Sequence, residues 1–427
     1  MKVAVIGAGI VGVTTAYELA ADGHEVSVFE RHASVAEETS FANAGVVAPG
    51  YVTPWAAPGM PAKVLRYLMS THAPVRVHAH WMLQQPGWAW RWWRACRAET
   101  YATNRARLQR LAFYSRERLH ALSAELHLDY ERAQGYLVLL REARDHAMVQ
   151  PGLRVLRDVG VTVKELTAAD ARRIEPALNS DMALHGALHL PDDEVGNCRQ
   201  FALLLKAEAQ RLGAQFCFNQ TICRVTPGPR PELSFESSQP SPQQFDAVVL
   251  CAGMETAALL ASIGLHVPLA AVWGYSISAA IREPLNAPLA ALMDERFKVA
   301  ISRIGQRIRV AGSAELGGIE SAHHPGALRT LYKVLNDWFP GAAHLNSHIR
   351  GNAVGAGVQV WKGARPMLPD GPPIVGPSGR AGIWVNMGHG SSGWALSCGS
   401  ARMLADQLSG REPAIDLDGF GIERVLR

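Results

Sequence analysis

Three glycines and a carboxylate stand at fixed distances within the first thirty residues. Gly7, Gly9 and Gly12 form a G-x-G-x-x-G run. The run follows Lys2-Val3-Ala4-Val5-Ile6, which reads as a buried strand, and leads into an apolar-periodic helix expected over 13–21, stopped by Asp22-Gly23. Glu25-Val26-Ser27-Val28-Phe29 reads as a second strand ending on Glu30, 18 residues past Gly12. Gly7 allows the tight turn, Gly9 lets a pyrophosphate approach the backbone, and Gly12 lets the helix pack on the strand. The helix N-terminus offers amides and positive dipole to phosphates, and a carboxylate at position 30 can accept ribose hydroxyls. This combination points to a dinucleotide site.

Two other stretches carry groups for such a ligand. Thr39-Ser40-Phe41-Ala42-Asn43-Ala44-Gly45 places small polar residues close behind the dinucleotide unit, where they either hydrogen-bond a cofactor or cap a helix starting at Thr39 or Ser40. Gly388-His389-Gly390-Ser391-Ser392-Gly393 opens a helix expected over 394–408, which makes a second anion or dipole site. Other clusters point away from metals. Cys96, Cys198, Cys217, Cys223, Cys251 and Cys398 show no C-x-x-C spacing, and His78/His80 and His323/His324 lack metal spacing. Asp192-Asp193-Glu194 reads as acids ahead of a helix beginning near Cys198.

The remaining elements must position these groups. The chain has 427 residues, 48% of them apolar, enough for two or three domains. A net charge of +4 is too mild for nucleic acid. No run of 18 apolar residues suggests a membrane span, and the three glycines argue against a signal peptide, so a cytoplasmic protein is expected. Five of the eleven tryptophans (Trp81, Trp88, Trp90, Trp92, Trp93) precede an arginine-rich helical pattern that continues to about Leu126. That pattern fits either a membrane-interface helix, and so a peripheral contact on the inner face of the cytoplasmic membrane, or a domain helix with a buried aromatic face. Strands are expected over 135–140, 215–218 and 245–253, the last returning to the dinucleotide sheet. Helices are expected over 198–212 and 328–339, and a helix-then-strand piece over 153–166. Period-two alternation between Pro268 and Ala314 reads as a separate antiparallel sheet.

At the C-terminal end a family pattern emerges. Trp361-Lys-Gly-Ala-Arg365-Pro-Met-Leu-Pro-Asp370-Gly-Pro-Pro-Ile-Val-Gly376 resembles the W-x-G-L-R-P-M-T-P-D-G-x-P-I-V-G signature of the D-amino acid oxidase/dehydrogenase family of flavoproteins. Gly388 to Trp394 and Cys398-Gly-Ser400 continue it. The 39–45 stretch, Pro49-Gly-Tyr51, Pro54 to Pro58, Gly274-Tyr275-Ser276 and Arg307 to Gly312 are similar to its bacterial D-amino acid dehydrogenase branch. Ala364, Leu368, Ser391-Ser392 and Gly45-Val46-Val47 depart from the pattern; they leave the flavoprotein class intact and the substrate open.

The resemblance implies an α/β fold: a Rossmann-like FAD-binding domain (1–80, 192–262 and 360–427) with an interleaved antiparallel-sheet substrate domain (81–191 and 263–359). It implies non-covalent FAD, because Gly363 stands where the covalent branch carries cysteine. FAD would be held by Val3, Ala4, Val5, Ile6, Gly7, Ala8, Gly9, Ile10, Val11, Gly12 and Val13. Glu30 would meet the adenosine ribose with Arg31 flanking, and Ile222 the adenine. Ser40, Asn43, Ala44 and Gly45 would approach the pyrophosphate and isoalloxazine. Ala252 and Gly253 would line the site, while Gly388, Gly390, Ser391, Ser392 and Gly393 would face the flavin pyrimidine ring. Arg365 would pair with a substrate carboxylate, since guanidinium is planar, bidentate and permanently charged. Tyr275 would donate to the same carboxylate, His389 would add pocket polarity, and Tyr51 would cover the pocket. The implied reaction passes the α-hydrogen of a D-amino acid to flavin as hydride; the imine then hydrolyses to a 2-oxo acid and ammonia, and electrons go on to a quinone or other acceptor. The alternatives are an oxidase using O₂ on glycine, sarcosine or a cyclic imino acid, and a non-catalytic flavin-binding assembly subunit.

Overall fold

The computed structural model describes residues 1–67, 72–158, 160–236, 241–345 and 357–426. A six-stranded sheet organises the N- and C-terminal parts. Its strands are β1 (Lys2–Ile6), β2 (Glu25–Phe29), β8 (Gln215–Cys217), β12 (Ala247–Leu250), β18 (Ile374–Pro377) and β19 (Ile383–Met387), in the order β18-β19-β12-β1-β2-β8. All neighbours are parallel except β18 against β19. The return of β12 alongside β1 matches the expectation for 245–253.

The first helix spans Ile10–Ala21, three residues earlier than its apolar period suggested, so Gly12 lies inside it. Ten of its twelve residues are buried, which blunts the amphipathic pattern. The helices Cys198–Arg211, Ala98–Glu125 and Gly393–Leu408 share its core. Glu18, fully buried there, receives Arg118 Nε at 2.6 Å and Arg402 Nη1 at 2.8 Å. The other face of the sheet packs on the small sheet β9 (Ile222–Thr226), β10 (Glu232–Phe235) and β11 (Gln243–Gln244).

The second sheet is larger and mixed. It contains β3 (Val46–Val47), β4 (Val75–Val77), β5 (Ala133–Leu140), β6 (Lys164–Thr167), β7 (Gly186–Val195), β13 (Ala270–Ala280), β14 (Ala291–Asp294), β15 (Val299–Ile304), β16 (Arg307–Leu316) and β17 (Val358–Met367). Its path is β17-β13-β16-β15-β14-β5-β7-β3, with β4 on β16 and β6 on β7. The helix Pro325–Trp338 seals one face.

Several sequence expectations shift. Strands β3 and β4, expected with the dinucleotide-binding part, pair into the second sheet. The helix Ala98–Glu125, expected with the substrate part, buries Leu108, Leu111, Leu119 and Leu122 in the first core. Thr39 and Ser40 start no helix. Asp193 and Glu194 do not serve a helix N-terminus: they are buried in β7, where Glu194 meets His120 and Arg132 and Asp193 lies 3.7 Å from Arg116. The 81–126 segment is three helices, Ala79–Gln84, Pro86–Ala95 and Ala98–Glu125, broken at Pro86 and near Cys96. Its tryptophans divide: Trp81 and Trp88 are buried, while Trp90 and Trp93 are more than half exposed.

Candidate active site

A cleft of about 910 Å³ runs from the C-terminal edge of the first sheet to the open face of the second. At its first end, Gly7 takes a φ of 97°, and a Cβ there would lie 2.7 Å from Cys251 O. A Cβ on Gly12 would stand 1.9 Å from Gly7 O, so the helix packs on the strand only without a side chain. Gly9 differs. A Cβ on it would meet nothing closer than Ser40 Oγ at 3.5 Å. The protein's own packing does not require glycine at position 9; a ligand lying against the backbone does. The helix N-terminus here has no side-chain cap, and Ser40 Oγ accepts from Ile10 N at 3.1 Å. Glu30 accepts from Ala8 N at 2.7 Å and His32 N at 2.9 Å, and it lines the cleft. An anionic diphosphate and a ribose fit this cradle.

The other expected cofactor residues divide by position. Ile6, Ile10, Val11, Arg31, Ile222, Ala252 and Gly253 line the cleft. Val3, Ala4, Val5, Ala8 and Val13 are fully buried behind it and act as scaffold. Arg31 is engaged by Glu38 and, at 3.5 Å, by Glu255, so it closes the first end as an ion pair.

The 39–45 loop crosses the second sheet, and its carbonyls are tied down one after another. Ser276 Oγ donates to Ala42 O at 2.7 Å, Arg309 Nη1 to Asn43 O at 3.1 Å, and Ser302 Oγ to Ala44 O at 2.7 Å. Trp394 Nε1 donates to Gly45 O at 3.1 Å, and Thr39 Oγ1 to Ala364 O at 2.6 Å. Ser40, Asn43, Ala44 and Gly45 all line the cleft. With its carbonyls turned into the protein, the loop has donors left for a ligand. Ser276, Ser302, Arg309 and Trp394 were not singled out as holders of this loop. Their signal was present: Ser276, Ser278, Ser302 and Arg309 occupy the polar phase of otherwise apolar strands.

The Gly388–Gly393 turn forms the wall opposite. Gly388 and Gly390 have φ of 77° and 57°, and Cβ atoms there would strike Leu368 and Met367. Gly388, Gly390, Ser391, Ser392 and Gly393 line the cleft. His389 is almost fully buried, its Nε2 2.9 Å from Ser400 Oγ. Burial pushes its pKa down to about 3, so the ring is neutral and attracts no carboxylate by charge.

Arg365 and Tyr275 part company. In the antiparallel β13–β17 pair, Tyr275 faces Lys362, Gly274 faces Gly363, and Val272 faces Arg365. Facing residues share a side and neighbours alternate, so Tyr275 and Arg365 project from opposite faces of the sheet. The Tyr275 hydroxyl donates to Glu315 and accepts from His324 N at 3.3 Å, in a cluster with His78 and Lys362. Tyr275 lines the cleft, but its expected role as a second carboxylate donor is corrected: strand parity carries its hydroxyl to the other face, where Glu315 and His324 N engage it.

Arg365 stays on the cleft side. Its guanidinium lies over Gly274, where a Cβ would be 2.4 Å from Nη2. Nη1 donates to Ser313 O at 3.0 Å, and among the described residues no acid pairs with it. The side chain is partly exposed into the cleft, yet burial pushes its pKa down to about 10, which still leaves it charged at neutral pH. The acids that line the cleft (Glu30, Glu37, Glu38 and Glu255) come from the nucleotide-end segments. Beside Arg365, Ser313 has a φ of 56° and a buried hydroxyl without a partner among the described residues, a donor that sequence reading missed. Tyr51, in the turn Pro49–Tyr51, sets its ring edge-on to Tyr136 at 5.8 Å and lines the cleft.

This arrangement can hold an extended dinucleotide with its redox ring between the glycine turn and the second sheet, and an anionic substrate against Arg365. Residues 2–407 match the family model described as FAD dependent oxidoreductase. The chain belongs to this family. It is 40% identical over 427 residues to a D-amino acid dehydrogenase from Rhizorhabdus wittichii, covering 99% of this chain and 100% of that one. It is also 40% identical over 429 residues to a D-amino acid dehydrogenase from Bradyrhizobium diazoefficiens, covering 99% of each. The crystal structure of glycine oxidase from Geobacillus kaustophilus superposes with a TM-score of 0.75 at 22% identity, over 99% of this chain and 98% of that one, which shows the shared fold. The family thus supplies FAD as the dinucleotide, and the cradle around Gly9, Glu30 and the 39–45 loop suits it.

Proposed function

We propose that this FAD-dependent oxidoreductase oxidises D-amino acids to 2-oxo acids and ammonia. Arg365 carries the reading: a charged guanidinium that opens on the cleft with no acidic partner and with an unpartnered Ser313 hydroxyl beside it. A free cation in a partly enclosed site is costly unless an anion completes it, and a carboxylate matches its fork. The names of the two full-length relatives support the D configuration. When bound, the flavin accepts the α-hydrogen of the substrate as hydride. The chain holds the carboxylate through Arg365, and the ordered 39–45 loop and glycine turn fix the approach. No strong base is needed. The substrate amine enters neutral; loss of hydride and one N–H proton gives the imine, which water hydrolyses outside the redox step. His389, neutral and bonded to Ser400, positions the glycine turn. FAD is held without a covalent link, because Gly363 offers no nucleophile and a Cβ there would press on Thr39 Cα at 3.2 Å.

The electrons pass to a quinone or another carrier at a membrane surface. Residues 39–98 contain six Lys or Arg and no Asp or Glu, and Leu65, Met82, Leu83, Trp90 and Trp93 are exposed there. Further along, Arg107 pairs with Asp418, Arg110 with Asp416 and Arg118 with Glu18. Exposed apolar side chains in a segment that carries cations and no acids of its own suit the peripheral contact with an anionic bilayer.

The test is anaerobic reduction of the bound flavin by a panel of D- and L-amino acids. Bleaching by D-isomers in preference to L-isomers is expected. Bleaching by L-isomers alone, or by none, contradicts the reading.

A further inference from the structure

Three tyrosines are at most 2% exposed: Tyr130, Tyr136 and Tyr275. Two have partners for their hydroxyls, Tyr130 receiving Ser123 Oγ at 3.4 Å and Tyr275 donating to Glu315. The Tyr136 hydroxyl is buried with no partner among the described residues. Leaving a buried hydroxyl unpaired costs on the order of 1–3 kcal/mol, so such a group is kept where something else pairs it. Tyr136 lines the cleft.

The backbone aims it there. In β5, Gly135 takes a φ of 99°, and the pairing with β7 shifts register between Gln134 and Tyr136. A Cβ on Gly135 would meet only His189 Nε2 at 3.6 Å, so the glycine serves the bend and not the packing. Such irregularities re-aim the next side chain. Around Tyr136 the cleft wall is large and neutral. Tyr51 stands edge-on to it, and Met293, Tyr67 and Trp55 line the same cavity. Lys63 and Lys298 line it with their side chains turned largely to solvent. Burial raises the pKa of both Tyr51 and Tyr136 well above the ordinary phenol value, so each keeps its proton and can donate.

We propose that Tyr136 is a specificity-determining residue that donates a hydrogen bond to the far end of the substrate side chain, selecting D-amino acids whose long or flat side chain ends in an oxygen acceptor. The inference rests on the reading of the reaction given above. A site built around a hydrogen bond rejects the analogue that lacks it, because its own polar group is then stranded. D-Tyrosine and D-phenylalanine form the matched pair, and D-alanine is the reference whose side chain has no acceptor.

The experiment measures kcat/KM for all three with FAD-loaded wild type and Tyr136→Phe, alongside flavin content and melting temperature. Wild type should prefer D-tyrosine over D-phenylalanine by about tenfold or more. Tyr136→Phe should abolish that ratio, with D-alanine and D-phenylalanine changed by less than about threefold. An unchanged ratio overturns the assignment, as does a wild type that uses D-alanine but shows no preference within the pair. An equal fall for all three substrates with lost flavin also overturns it, because the hydroxyl then serves the cofactor. Flavin reduced by no D-amino acid in wild type overturns the reaction itself, a result separable from these.

Discussion

Two arginines measure how this chain treats charge. Arg402, on the helix Gly393–Leu408, is bonded to Glu18 at 2.8 Å, to Asp22 at 2.5 Å and to Asp406 at 2.9 Å. Burial alone would lower its pKa, but these acids more than offset that and hold it above the ordinary value. Arg365, on β17, has one carbonyl and no acid, and burial leaves its pKa depressed. The first arginine belongs to a closed network that locks the helix layer. The second is left open toward the cleft. A completed ion network argues for structure, and an uncompleted one in a cleft argues for a ligand.

The same substitution at both sites breaks the comparison most sharply. Arg365→Met should lower kcat/KM for a D-amino acid by about a hundred- to several-thousand-fold, the equivalent of about 3–5 kcal/mol for a lost bidentate charge pair. Its melting temperature should hold or rise, because an apolar side chain replaces a cation that has no counter-charge. Arg402→Met should do the reverse. It takes one of two arginine partners from Glu18, which keeps Arg118, and one of two from Asp22, which keeps Arg411; it should cost about 3 kcal/mol of unfolding free energy and should spare kcat/KM in the folded fraction. Burial raises the Asp22 pKa, but hydrogen bonds from Arg402 and Arg411 outweigh this and hold it below the ordinary value. Its contribution is therefore full at neutral pH and fades as pH falls through the carboxylate range, so the gap between wild type and Arg402→Met should narrow in acid. The narrowing should come below pH 4, because the folded-state value lies under the ordinary one of 3.8, so chemical denaturation at pH 7 and pH 3 checks both statements.

Tyr275→Phe gives the smallest effect and sharpens the boundary between the two sheet faces. The hydroxyl serves Glu315 on the far face, so its loss should cost about 1–2 kcal/mol of stability. The preference for a substrate carboxylate should stay within about twofold of wild type. A large loss of that preference would place the Tyr275 hydroxyl on the substrate rather than on Glu315.

The nucleotide end was legible because its signals are local. Gly7, Gly9, Gly12 and Glu30 lie within one strand–helix–strand unit; Gly12 answers to Gly7 O within that unit, although the contact that bars a side chain at Gly7 comes from Cys251, just past the neighbouring strand, and Gly9 faces free space. The helix start was misjudged by three residues because a helix buried on nearly every side shows little periodicity. The substrate end was legible only in part. Arg365 stood out by its resemblance to a family signature, but the face that Tyr275 presents depends on pairing 87 residues apart, Tyr275 with Lys362. The clamps on the 39–45 loop come from Ser276, Ser302, Arg309 and Trp394, all more than 200 residues away in sequence. Period-two polarity marked the three strand residues, but nothing local says what they hold. The helix Ala98–Glu125 was expected with the substrate part and packs in the first core for a similar reason: a helical pattern does not name its packing partner.

The central claim is that Arg365 binds the substrate carboxylate, and the most direct measurement compares a D-amino acid with its amide. The two share a side chain and an α-hydrogen and differ in the carboxylate charge. Wild type should favour the acid by about a hundredfold or more in kcat/KM, and Arg365→Ala should lose most of that preference while still binding FAD. An Arg365→Ala enzyme that discriminates acid from amide as wild type does would contradict the account.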